Sequence, residues 1–238
     1  MLHVPGKTPR ARRHDANLLR ILDAAMDMVA SGGLEALSMA KLAETVDYTP
    51  GALYRYFGSK DALLSKLVAR ILEDVRAALD GALALLPSSA SPLTRVFALV
   101  QGYRAFAQRE PHRFGFLAMT LAEPRVLLEK PEDAEPVMHV MLAALQPLAG
   151  ALAEAAADDQ LDGGDFTERT ICLFAMLQGL FQLQKQARYA PGVLDVDRLT
   201  VNGTRSLLLG WGAKPRTVEA AIARVAALGD LTRTLGGA

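Results

Sequence analysis

The stretch Ser38-Met39-Ala40-Lys41-Leu42-Ala43-Glu44-Thr45-Val46-Asp47-Tyr48-Thr49-Pro50-Gly51-Ala52-Leu53-Tyr54-Arg55-Tyr56-Phe57-Gly58-Ser59-Lys60-Asp61 decides the fold. It reads as two short helices, a tight turn between them, and the start of a third, longer helix. Ser38 is placed to cap the first, its hydroxyl accepting from a free backbone N–H. Leu37 and Leu42 occupy hydrophobic-staple positions across that cap. Ala40, Leu42, Ala43 and Val46 are expected to face inward. Asp47 and Tyr48 fill the turn, and Asp tolerates a left-handed backbone better than most residues. Thr49 caps the second helix, with Pro50 at the first helical position, where its missing N–H costs nothing. Leu53 and Phe57 sit one helical turn apart and face inward together. Gly58 ends this helix and Ser59 caps the next. Two short helices joined in this way form a helix-turn-helix, whose second helix lies in the major groove.

The segment resembles the DNA-binding signature of the TetR family of bacterial transcriptional regulators. That signature has a capped helix, a short turn, a Ser or Thr cap, then Gly-x-Leu-Tyr-x-(Tyr/His)-Phe and Ser-Lys-(Asp/Glu)-x-Leu. Here those positions are Thr49, Gly51-Ala52-Leu53-Tyr54-Arg55-Tyr56-Phe57 and Ser59-Lys60-Asp61-Ala62-Leu63. The likeness covers residues 15–63, and one departure is the turn, where Asp47-Tyr48 replaces the usual Gly-Val. It implies an all-α protein: an N-terminal three-helix helix-turn-helix domain plus a C-terminal helical ligand-binding and dimerisation bundle. The domains are expected at 1–13 (a disordered basic arm), 14–60 (DNA binding) and 61–238 (ligand binding and dimerisation).

Composition agrees with that class. The chain has 238 residues, half of them hydrophobic, with few aromatics; Ala and Leu favour helices. The longest apolar runs look short of a membrane span, no secretory signal pattern opens the chain, and a cytoplasmic, membrane-free protein is expected. The single Cys172 excludes an internal disulfide framework; it is expected to be a small buried hydrophobe, with a redox sensor as the rival role. Net charge is zero, which argues against a bulk nucleic-acid binder. Residues 1–60, however, carry eight bases and six acids, a net +2, and the first thirteen residues carry four bases and no acid. That asymmetry suits a DNA-facing N-terminus, although the arm also reads as a plain solvated tail.

Beyond the opening motif the chain reads as helices throughout, with no strand-like alternation and no internal repeat. Asp15–Ser31 carries Leu18, Leu22, Ala25 or Met26, and Val29 on one face, stopped by Gly32-Gly33. A long helix runs from Ser59 to Leu86. Others are expected from Pro92 to Arg109, Pro111 to Ala122, Ala134 to Ala157 (kinked at Pro147), Asp165 to Tyr189, Asp197 to Leu209 and Pro215 to Leu228. Residues 123–133 read as a loop with one helical turn. Many relatives end before the last helix, which either covers the core or extends a dimer contact.

The resemblance implies a homodimer, built by packing the helices at 166–189 and 197–209 against the partner's pair as a four-helix bundle. The same residues also suit a simple monomer core. Double-stranded operator DNA is the expected partner, since dimers read two half-sites. Tyr54, Tyr56 and Lys60 suit phosphate contacts, with Ser38 and Thr49 adding hydroxyls or backbone N–H groups. Arg55 suits guanine or a phosphate, and Thr49, Pro50, Gly51 and Ala52 suit close approach and thymine methyls. Tyr54 also suits packing on the first helix.

A second partner, a small and apolar effector, is expected in the C-terminal part. Its candidate lining is Phe97, Tyr103, Phe106, Phe114, Met119, Met138, His139, Met141, Phe174, Gln178, Phe181 and Gln182, an aromatic and Met set with a few polar groups. The same stripe also serves as plain core, and His139 reads as a polar handle or a structural His. No Gly-rich phosphate loop, Gly-x-Ser-x-Gly or His-Glu-x-x-His occurs, so neither catalytic residues nor a cofactor are expected. Four scattered His and one Cys give no metal-ligand spacing. The function expected is a homodimeric repressor released from a palindromic operator by its ligand. The alternative is a helical carrier or enzyme with a vestigial DNA-binding domain, and the sequence does not encode activation against repression.

Overall fold

The computed structural model describes residues 8–122, 131–190 and 192–229. Among the described residues there are ten α-helices, one 3-10 turn and no strand. They fall into two compact units. The first runs to Arg70 and takes in Met119–Met138; the second comprises Ile71–Ala118 and the residues from His139 on. The first unit thus passes the expected limit at residue 60, and Leu63, Leu64 and Leu67 are buried.

In the first unit, α1 (Pro9–Ala36) starts earlier than the sequence suggested. Thr8 accepts from the Ala11 N–H and Pro9 takes the first helical position. A proline there loses no hydrogen bond, so residues 9–13, expected in a disordered arm, are helical; residues 1–7 lie outside the described set. Ile21, Leu22, Ala25, Met26 and Val29 of α1 are buried. Gly33, at φ 71, breaks the helix geometry near its end. Helix α2 (Met39–Thr45) is capped by Ser38, which accepts from the Lys41 N–H. Its inward face is Met39, Leu42, Ala43 and Val46; Ala40, expected there, is exposed. Asp47 takes the left-handed turn conformation at φ 58. Helix α3 (Pro50–Phe57) is capped by Thr49 and buries Ala52, Leu53 and Phe57. Gly58 closes it at φ 73, its N–H donating to the Tyr54 carbonyl.

Helix α4 (Lys60–Ala84) begins where Ser59 Oγ accepts from the Ala62 N–H at 2.9 Å. Helix α5 (Pro92–Arg109) is capped by Ser91 and is the most thoroughly buried. It approaches α4 closely at Gly102, where a Cβ would lie 2.8 Å from Ala82 Cβ. Helix α6 (Pro111–Ala122) follows. The expected loop at 123–133 falls largely outside the described residues, and its last three residues open α7 (Pro131–Ala157).

Pro147 sits inside α7 and has no N–H to give the Ala143 carbonyl. Arg76 Nη1, from α4, donates to that carbonyl at 2.8 Å. Residues 134–157 of this helix are long and apolar enough to cross a membrane by length and composition alone. This corrects the expectation that no run reaches that length: much of the hydropathy comes from repeated Ala, which is not conspicuous as a bulky apolar run.

Helix α8 (Phe166–Gln182) is capped by Asp165, which accepts from the Thr167 and Glu168 N–H groups. It stops seven residues short of Tyr189, and the chain tightens into a 3-10 turn at Gln186–Arg188. There the Gln184 N–H donates to the Phe181 carbonyl at 3.2 Å and the Ala187 N–H to the Leu183 carbonyl at 3.0 Å. Backbone N–H groups of the tightened turn thus satisfy carbonyls at the end of the helix. Cys172 is exposed on α8, contrary to the buried position expected; its neighbour Leu173 takes the inward place. Helix α9 (Val196–Gly210) is capped by Asp195. Helix α10 (Pro215–Ala226) packs on α5 and α9, with Val218 and Ala221 buried. It therefore covers the core of the second unit.

Candidate DNA-binding face and ligand pocket

The outward face of α3 follows from its inward one. With Ala52, Leu53 and Phe57 buried, Gly51, Tyr54 and Arg55 fall on the opposite side at helical spacing and are exposed, as are Thr49 and Pro50. Ala52 does not join them, which corrects its expected place on the DNA side. Tyr54 is 49% exposed, so it is not packed away against α1. The Ser38 and Thr49 oxygens serve as helix caps, accepting from the Lys41 and Ala52 N–H groups at 3.2 Å each; each hydroxyl keeps its own proton to donate. Lys60 is half-buried at the start of α4.

Tyr56 is half-buried because its ring stacks on His14, with centroids 5.0 Å apart and planes 10° from parallel. The Tyr48 ring lies 5.9 Å from that of Tyr56, tilted by 49°. Arg20 of α1 holds the turn twice: its guanidinium lies 5.6 Å above the Tyr48 ring, and Nη2 donates to the Val46 carbonyl at 3.0 Å. Tyr48 is thus accommodated by a cation–π contact. His14 and Arg20 were not read from the sequence as parts of this face. No periodicity links them to the turn; only a cationic side chain coinciding with an unusual turn aromatic would have hinted at it.

In the second unit, five expected pocket residues form one aromatic cluster. Tyr103 stacks near Phe106, Phe114, Phe174 and Phe181, with centroids 5.5 to 6.4 Å away. The Tyr103 hydroxyl donates to Gln178 Oε1 in a buried bond. Burial pushes the Tyr103 phenol well above its ordinary ionisation range, since the phenolate would be stranded in an apolar interior. Gln178 Nε2 is also buried and finds no acceptor among the described residues.

Cavities lie within the second unit. An open pocket of about 840 Å³ has Phe114, Gly115, Ala118 and Phe181 as its apolar wall and Gln182, Lys185 and Arg188 among its polar residues. A small cavity of about 20 Å³ touches Tyr103 and Phe174, room for roughly one water. Phe97 lies apart from both, beside a cavity of about 160 Å³ under α10. Met138 and His139 are exposed on α7, which corrects their expected place in the lining. Met119 and Met141 are half-buried and line none of these three cavities. Among the described residues no group of His, Cys, Asp and Glu is arranged to hold a metal.

Two models of one family match the chain in succession. "Bacterial regulatory proteins, tetR family" covers residues 21–67, and "Tetracyclin repressor-like, C-terminal domain" covers residues 96–207. The chain belongs to the TetR family. The family is described as one of bacterial regulatory proteins, and the helix-turn-helix at residues 38–61 falls inside the first matched segment. The HTH-type transcriptional repressor KstR of Rhodococcus jostii is 36% identical over 92 residues, which are 39% of this chain and 41% of that repressor. The match thus spans about two fifths of this curated relative's length.

Among solved structures, RolR in complex with resorcinol superposes with a TM-score of 0.62 at 18% identity, over 90% of this chain and 97% of that one. FadR from Bacillus subtilis in complex with stearoyl-CoA superposes with a TM-score of 0.61 at 16% identity, over 80% and 96%. At these identities the likeness establishes the all-α fold of this TetR-family chain and nothing about its ligand.

Proposed function

We propose that this TetR-family chain is a homodimeric, cytoplasmic repressor released from a palindromic operator by a small apolar effector. The observation that carries the reading is the exposed α3 face of Gly51, Tyr54 and Arg55, held by caps at both ends. Such a face can set phosphate contacts from Tyr54 and base contacts from Arg55 side by side. Repression as the sign of regulation rests on the likeness to KstR.

Dimerisation is supported by α8, where Ile171, Cys172, Ala175 and Gly179 leave an exposed, small-residue side. A Cβ built at Gly179 would meet nothing within 4 Å, so a partner helix has room for close approach. Two copies are required because one helix-turn-helix reads only a half-site. An apolar effector is supported by the Phe114–Phe181 wall of the open pocket, and RolR and FadR carry resorcinol and stearoyl-CoA as ligands. Release requires the effector to bind the two states of the dimer with different affinity, because equal affinity shifts nothing.

The test is binding of the purified protein to DNA upstream of its own coding sequence, at two salt concentrations, beside a Tyr54→Ala/Lys60→Ala variant. Specific binding by the parent, weakened by salt and lost in the variant, is the expected result. Equal, weak binding of both proteins to any DNA overturns repression at that site.

A further inference from the structure

The first turns of α1 lie outside the segment matched by the family's DNA-binding model, which begins at residue 21. They carry Arg10, Arg12, Arg13 and His14 with no acid among the four, and all are exposed. The His14 ring nevertheless stacks on Tyr56 of α3 at 5.0 Å. The N-terminal end of α1 is therefore fixed beside the reading helix.

We infer that Arg10 and Arg13 form an accessory DNA-contact site, binding backbone phosphates that flank the half-site read by α3. The inference rests on the DNA-binding reading above and adds a surface to it. Helical geometry selects the residues. Arg10 lies one turn before His14 and shares its face, so it projects on the side where α1 meets α3. Arg13 is about 100° from His14 and about 60° from Arg10, which keeps it on the flank of that face. Arg12 is about 160° from both Arg10 and His14 and projects away.

Along the axis Arg10 sits about 6 Å beyond His14, and the major groove that receives α3 is only about 12 Å wide, with phosphates along both rims. Two arginines beside a helix seated in that groove meet a rim rather than base edges. Such contacts add affinity and salt dependence but no sequence discrimination. The occupant is DNA rather than an acidic protein because the same stack that orders these arginines belongs to the helix-turn-helix face.

The experiment measures affinity of full-length protein for an operator fragment selected with the parent protein, across a threefold range of salt. Four proteins are compared: parent, Arg10→Ala/Arg13→Ala, Arg12→Ala and His14→Ala. Each phosphate contact contributes about 0.9 to the slope of log affinity against log salt. The Arg10→Ala/Arg13→Ala slope is expected to be shallower by about 1.8, so that over threefold salt this variant loses about sevenfold less affinity than the parent. Its ratio of specific to non-specific binding stays at the parent's value, and its melting temperature confirms that it folds.

Arg12→Ala keeps the parent slope. His14→Ala, which keeps both arginines but removes their anchor, loses affinity at low salt. An unchanged slope in the double variant, or an equal drop in Arg12→Ala, overturns the inference while the regulator reading stands. If the parent selects no specific sequence at all, the regulator reading falls and this inference falls with it.

Discussion

Replacing Tyr103 by Phe tests the polar pair inside the aromatic cluster. The ring stays, so the packing against Phe106, Phe114, Phe174 and Phe181 is retained. Only the hydroxyl that donates to Gln178 Oε1 is lost. Gln178 is 5% exposed and its Nε2 already lacks a partner, so the variant leaves a whole amide buried without a hydrogen bond. An unsatisfied buried group of this kind costs about 1–3 kcal/mol. Taking the middle of that range, a chain of this length melts about 4–8 °C lower.

Tyr103→Phe/Gln178→Leu removes both polar groups, and its stability returns close to the parent's. The coupling between the two changes then equals the sum of the two single-variant costs, about 2 kcal/mol or more, as expected for residues in one buried bond. Urea unfolding of the parent, both single variants and the double variant reads it directly. Strict additivity, or a Tyr103→Phe variant as stable as the parent, would refute the reasoning.

The same pair has a pH signature. Burial raises the folded phenol above its ordinary value of about 10, so above that pH the unfolded chain releases a proton that the folded chain keeps. This stabilising contribution is fully present below pH 10 and declines as pH rises, by up to about 1.4 kcal/mol per unit. The stability gap between parent and Tyr103→Phe is thus expected to narrow between pH 9 and pH 11.

Gly58→Ala places a Cβ at φ 73 with no neighbouring atom within 4 Å, so only backbone strain acts; a loss of about 1–2 kcal/mol is expected, with Gly58→Asn milder in the same urea titration. Gly102→Ala forces a Cβ to 2.8 Å from Ala82 Cβ and 3.0 Å from the Ala78 carbonyl, and melting is expected to show about 1–3 kcal/mol of overpacking. Arg76→Ala removes the donor that serves the Ala143 carbonyl, at a cost of about 1 kcal/mol. In a Pro147→Ala background, where the helix supplies that donor itself, the cost shrinks; an undiminished cost in a double-mutant cycle would show that the Arg76 contact is not a substitute for the missing bond.

Local chemistry made most of the first unit legible in the sequence. Ser38, Thr49 and Ser59 mark helix starts by a bond spanning three residues, and Asp47 and Gly58 mark the turns through their own backbone freedom. Pro9 misled because proline both ends structure and opens helices. Thr8 before it decides which.

Among the expected pocket residues, Tyr103, Phe106, Phe114, Phe174 and Phe181 share one cluster, while Met138 and His139 are exposed. Periodicity ranks faces of one helix but does not say which helix covers them. For the same reason Cys172 reads as core by composition and is exposed in fact. By itself the sequence determined the helix-turn-helix, its caps and the all-α class, because those depend on bonds between residues a few positions apart. Tertiary structure alone decided that Arg20 grips the turn, that His14 meets Tyr56, that Gln178 is buried beside Tyr103, and that α10 covers the core. Each of these depends on contacts between residues far apart in the chain, which local propensity does not encode.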